Sequence, residues 1–158
     1  MAVMMSNTKT STTRRTPRSE RGAALLEAAI TIPILLLIAV GIFEFGRAYQ
    51  TWQVLTNAAR EGARVAVLPN TSVSAVQDRA REYMVSGQLS NAGTATVDVD
   101  RNVSIVVNGA NVPASQVTVQ YPFNFIVLQP VARLINQNGS LGESLTMVAS
   151  SVMRNEQQ

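Results

Sequence analysis

Gly22 and Glu27 are the residues whose type and spacing bear most directly on chemistry. Gly22 closes a basic leader, and Glu27 stands five residues on, at the head of an apolar stretch that runs to Phe43. A helix rises ~1.5 Å per residue and a bilayer core is ~30 Å thick, so a span needs roughly 20 residues. The uncharged run Ala28–Phe43 reaches only ~24 Å on that rise, whereas a span begun at Ala23 reaches ~31 Å. The longer span fits the membrane and takes Glu27 into it. An acid there costs ~2.5–3.5 kcal/mol on insertion scales, which makes an intramembrane acid a functional candidate. The bland alternative is a plain signal anchor whose Glu27 snorkels to the headgroups.

A second group lies in Ala58–Val67, which reads AAREGARVAV. Small residues at Ala59, Gly62, Ala63 and Ala66 allow another backbone to approach closely. Glu61 can pair with Arg64, which leaves Arg60 for a partner. The same pattern also suits an ordinary amphipathic helix packed on its own sheet. Glu44 and Arg47, three apart, can pair on a helix, and with Tyr49 and Trp52 they read as an anchor at the membrane interface. Asp98 and Asp100 share a strand face but have too few oxygen neighbours for a calcium site. The chain contains no Cys and no His, which removes disulfides, thiol nucleophiles, the usual zinc sites and Ser-His or Cys-His dyads. No metal and no cofactor is expected, and no enzymatic role.

The 158 residues leave room for one modest domain beside a membrane segment, and with 5% aromatics its core must be built from Val, Leu, Ile and Ala. The net charge of +3 is unevenly spread. Lys9, Arg14, Arg15, Arg18 and Arg21 face only Glu20 in the first 22 residues, and the remainder is slightly acidic. The basic character therefore belongs to the leader and argues for no nucleic-acid partner. Short basic flanks stay in the cytoplasm, which places the leader inside and everything after Phe45 outside.

Along the chain, Met1–Glu20 is Ser/Thr/Arg-rich and is expected to be disordered. Ala23–Leu68 reads as one long helix, kinked at Pro33 and ended by Pro69-Asn70. Beyond the membrane its apolar stripe is Trp52, Leu55, Ala59, Gly62 and Ala66. Ser72–Gly87 reads as a second helix capped by Ser72 or Ser74, with Val73, Val76, Ala80, Tyr83 and Met84 on its apolar face. The period then falls to two. Thr96–Asp100 and Val103–Asn108 read as two strands, followed by an Asn108-Gly109 turn. Gln116–Tyr121 is a strand that Pro122 closes or places at an edge, with Val117, Val119 and Tyr121 on one face. A short helix from Val131, a polar loop over Asn136–Gly142 and a last strand over Ser144–Met153 complete the layout.

A basic leader, Gly22, an apolar segment and Glu27 together form the pattern of a type IV prepilin junction. Combined with Ala59-Arg60-Glu61-Gly62-Ala63-Arg64 further on, the stretch Arg21–Val67 resembles the TadE-like family of bacterial tight-adherence (Flp-type) pilus proteins. The aromatic residue that prepilins often carry near the new N-terminus is Ala23 here, and the family's usual Phe after the acid is Ala28. The resemblance implies cleavage after Gly22 by a membrane aspartic prepilin peptidase, so that the mature chain begins at Ala23 with Glu27 fifth. The physical sense of that spacing is plain: cleavage exposes an α-amine about one helical turn from Glu27, and the two charges attract strongly in low dielectric.

The expected fold is α+β and pilin-like: a long N-terminal helix, membrane-spanning in its first half, with a small antiparallel β-sheet head. Residues 1–22 are the cytoplasmic leader, 23–45 the transmembrane helix and 46–158 the exported domain. The implied function is a minor pilin or pseudopilin in assembly of a tight-adherence pilus at the bacterial inner membrane. Expected partners are other pilin subunits, the prepilin peptidase and the tight-adherence secretion machinery. Assembly would rest on Glu27, with a partner interface at Ala59, Arg60, Gly62, Ala63 and Arg64. The rival is an exported binding or sensory module on an uncleaved single-pass anchor.

Overall fold

In a computed structural model, residues 17–130 and 144–155 are described, and they include two long α-helices, a 3-10 turn at Ala92–Thr94 and three strands. Helix α1 runs from Pro17 to Ala66, 50 residues, and continues on both sides of Pro33. It begins earlier than the sequence suggests, since Pro17–Glu20 are helical rather than disordered. Proline suits the first helical position because its missing N–H would have no helical acceptor and its φ is preset. The chain divides into two compact units, residues 1–39 and Val40–Gln158.

In the first unit the described helix is apolar and bare. Leu25, Leu26, Ile30, Ile32 and Leu35–Ile38 are all more than half exposed, on every side of the helix. A helix apolar all round with no described residue packed on it has the length and composition of a membrane segment. Among the described residues α1 alone is long and apolar enough to cross a bilayer.

The second unit is an α+β head. The outer part of α1 and helix α2, Val73–Ser86, pack on one face of a three-stranded antiparallel sheet. Its strands are β1, Thr96–Val107, β2, Ala110–Phe123, and β3, Leu145–Arg154, in the order β1-β2-β3. The core joins Leu55, Ala58, Ala59, Ala63 and Ala66 of α1 to Val76, Ala80 and Met84 of α2 and to Val97, Val117, Val119, Tyr121, Phe123 and Ala149 of the sheet. Trp52, expected in the stripe, is 47% exposed; the buried first position is Thr51, one residue earlier and four before Leu55.

Helix α2 is capped as the sequence suggests: the Ser72 hydroxyl accepts from the Ala75 amide at 3.1 Å. Gly87 closes it with an ordinary φ of −78°. Its need for glycine is steric, because a Cβ there would lie 2.5 Å from Val54 Cγ1.

The two expected strands, Thr96–Asp100 and Val103–Asn108, are one strand, β1, interrupted by a bulge and ending at Val107, with Asn108 in the turn. Asp100 pairs with Gln116 and Val103 with Ala114, so Arg101 and Asn102 together oppose Ser115. The bulge shifts the pairing register by one residue without ending the strand, and to a reader of periodicity that shift looks like a break. At the turn, Asn108 and Gly109 have φ of 53° and 80°, the two left-handed positions of a two-residue hairpin.

β2 is longer than Gln116–Tyr121 and contains both Pro113 and Pro122 although it is the middle strand. The pairings explain the tolerance. β1 begins opposite Gln120 and the β3 ladder ends at Ala114, so each proline lies just beyond the end of one flanking ladder, and the Pro113 carbonyl accepts from the Asn155 amide at 3.0 Å. The expected helix from Val131 and the Asn136–Gly142 loop lie outside the described residues.

Candidate functional site

Gly22, Ala23 and Glu27 all lie on the exposed surface of α1. A Cβ built on Gly22 would meet nothing within 4 Å, so packing within the chain does not require glycine at this position; the same holds for Gly41 and Gly46. The bond between Gly22 and Ala23 is inside the helix, one and a half turns from its first residue. Glu27 makes no hydrogen bond or ion pair with any described residue. Its carboxylate is thus an acid on an apolar helix with no partner among the described residues.

The second expected site divides in two. Ala59, Gly62 and Ala63 are buried within the head. A Cβ on Gly62 would lie 3.1 Å from Val117 Cγ1, 3.5 Å from the Ala80 Cβ and 3.7 Å from Val76 Cγ1. The close approach that these small residues allow is therefore used by α2 and the sheet of the same chain. Arg60 and Arg64 point outward. Arg60 reaches only the side chain of Asn57, at 3.4 Å, and Arg64 lies 3.6 Å from Glu61, which Arg79 of α2 shares at 3.6 Å. Such exposed pairs contribute little to stability.

A third cluster, at the base of the head, was only half legible in the sequence. Glu44 is fully buried. One of its oxygens accepts from Arg47 Nη1 at 2.9 Å, the i,i+3 pair expected. The other accepts from the backbone N–H of Val127, 83 residues away, and that partner has no local signal. The Arg47 guanidinium also stands 5.3 Å from the centre of the Phe123 ring. Phe125 packs edge-on to Phe123 at 5.1 Å and meets Phe45 at 6.4 Å. A buried carboxylate with both oxygens engaged is held by its partners, and removing one leaves a costly unpaired charge. Tyr49 and Trp52, expected beside this pair, are exposed and lean on each other at 6.4 Å.

A cleft of about 370 Å³ opens beside this cluster, between Gln50 and Thr51 of α1, the Gly87–Asn91 loop and Tyr121–Asn124. Arg47 at its wall is already committed to Glu44 and Phe123, and the wall carries no carboxylate and no nucleophile with a base beside it. No three His, Cys, Asp or Glu side chains among the described residues could hold a metal ion.

Among the described residues these features define one apolar helix able to cross a membrane, an acid near its start with no described partner, and a small α+β head. Residues 22–64 match the family model for TadE-like protein, the family that the stretch Arg21–Val67 resembles. The match begins at Gly22, takes in Glu27, Glu44 and Arg60–Arg64, and leaves α2 and the sheet outside it. No curated protein and no solved structure matches the chain.

Proposed function

We propose that the protein is a pilin-like structural subunit, a minor pilin or pseudopilin, that takes part in assembling a tight-adherence pilus. In this reading the leader through Gly22 lies in the cytoplasm, α1 crosses the inner membrane and the head stands on the far side. A prepilin peptidase removes the leader, and Ala23 becomes the N-terminus. The observation that carries the reading is the family match, which starts at the glycine of the proposed junction and runs along one bare apolar helix. Two structural facts support it. No described residue packs where a Gly22 side chain would stand, which leaves an external subsite as a reason for glycine. Glu27 lacks a partner within the described chain, as an acid that receives another subunit's amine should.

Intact-mass measurement of the membrane-extracted protein tests the processing step. The wild-type chain is expected to have lost Met1–Gly22. Gly22→Val is expected to keep the leader, since a branched side chain obstructs a subsite fitted to glycine. A full-length wild-type mass in cells with an active prepilin peptidase would refute processing and leave an uncleaved anchor carrying an exported module.

A further inference from the structure

The geometry points to a second membrane contact: the segment Phe125–Leu128 rests on the lipid surface beside the emerging helix, so that the head is seated on the bilayer as well as tethered to it. The inference rests on the reading of α1 as a membrane anchor.

Three observations carry it. The segment is apolar and open, with Ile126 57% and Val127 38% exposed. It lies against the end of the apolar run, because Phe125 meets Phe45 and the Val127 amide is bound by Glu44. Helix residues Ile42, Phe43 and Phe45 in the same unit are also exposed, so helix and loop offer neighbouring apolar surface. Large exposed apolar side chains grouped in this way mark a surface that is covered in use. The covering material on the helix side is lipid, and the loop continues that surface.

The buried cluster supplies what such a seat requires. Near lipid, a charge must be paired and a backbone N–H must find an acceptor within the protein. Glu44 and the Val127 N–H meet these needs for each other, and Arg47 balances the charge. Glu44 thus ends the uncharged run in sequence without presenting a carboxylate to lipid, since none of it is exposed.

The chain has no cysteine, so single cysteines can be introduced and labelled with an environment-sensitive fluorophore. The full chain carrying Ile126→Cys, Val127→Cys, Leu36→Cys or Asp98→Cys is reconstituted into vesicles of phosphatidylethanolamine and phosphatidylglycerol. Leu36 reports the anchor, and exposed Asp98 on β1 reports the aqueous side of the head. Labels at 126 and 127 are expected to be quenched by nitroxide-bearing lipids, as at 36, and to show severalfold weaker iodide quenching than at 98. Iodide quenching at 126 and 127 equal to that at 98, with 36 still quenched by lipid, would overturn the seat and leave the anchor intact. Shielding of 126 and 127 from both quenchers would show that protein covers them and would equally overturn it. Loss of lipid quenching at 36 would remove the anchor itself, and the seat with it.

Discussion

Gly62 sits where α1, α2 and β2 meet, and its missing side chain sets how close they come. Val117 Cγ1 would be 3.1 Å from a Cβ, closer than most real contacts, and Ala80 and Val76 close the remaining space. Overfilling a packed site typically costs ~1–3 kcal/mol. Gly62→Leu is therefore expected to lower the thermal midpoint of the detergent-solubilised chain by destabilising the head, whether or not partners are present. An unchanged midpoint would mean that helix and sheet do not press together here. The exposed arginines are the cleaner probe of an assembly face. Arg60→Glu with Arg64→Glu is expected to leave the midpoint near wild type, since surface pairs contribute ~0–1 kcal/mol, and to reduce crosslinking to pilus subunits. Undiminished crosslinks would count against this face.

At the scale of elements, α2 shows how a local signal sets a boundary. Ser72 holds the Ala75 amide with its hydroxyl, and losing a serine cap typically costs ~1 kcal/mol. Ser72→Ala is expected to destabilise the head by about that amount and to speed amide exchange in the first turn of α2, with α1 unaffected; equal protection in both proteins would show the cap to be idle. The cap, the Asn108-Gly109 turn and the alternation of Val117, Val119 and Tyr121 were legible because each depends on neighbours in sequence. So was α1, whose length and apolarity fix it as one helix. The bulge in β1 was not: Arg101 and Asn102 oppose a single residue, and only the partner strand reveals that. The extent of β2 was hidden for a similar reason, because Pro113 and Pro122 read as strand breakers until the staggered ends of β1 and β3 are known. The site at the base of the head was readable as far as Glu44–Arg47, while the Val127 amide that fixes the other oxygen comes from across the fold. The motif Ala59–Arg64 left two uses open for its small residues, and the burial of Gly62 beneath α2 and β2 assigns them to the head's own packing.

For the described molecule, packing is concentrated in the head, while the first part of α1 has no cover from any described residue. Core packing and the proposed assembly role thus fall on different lengths of the chain, and Glu27 belongs to the length that contributes no residue to the head's core. If its carboxylate only snorkels, Glu27→Gln should be harmless or favour insertion, since it removes a charge that is costly in the membrane. If it receives the α-amine freed by cleavage, the variant keeps the fold, the insertion and the processing but loses an attraction that is strong in low dielectric. The amine of the same chain is one helical turn away and could neutralise it, yet such a pair would recruit nothing. A neighbour's amine would instead fix the axial register of one helix against the next. Glu27→Gln is accordingly expected to show wild-type head unfolding, membrane extraction and mature mass, together with loss of partner pilins in pull-downs and loss of surface adherence. Glu27→Asp, whose shorter side chain holds the charge nearer its own backbone, is expected to restore assembly in part. Normal partner recovery and normal adherence in Glu27→Gln would remove this role from Glu27 and favour the signal anchor.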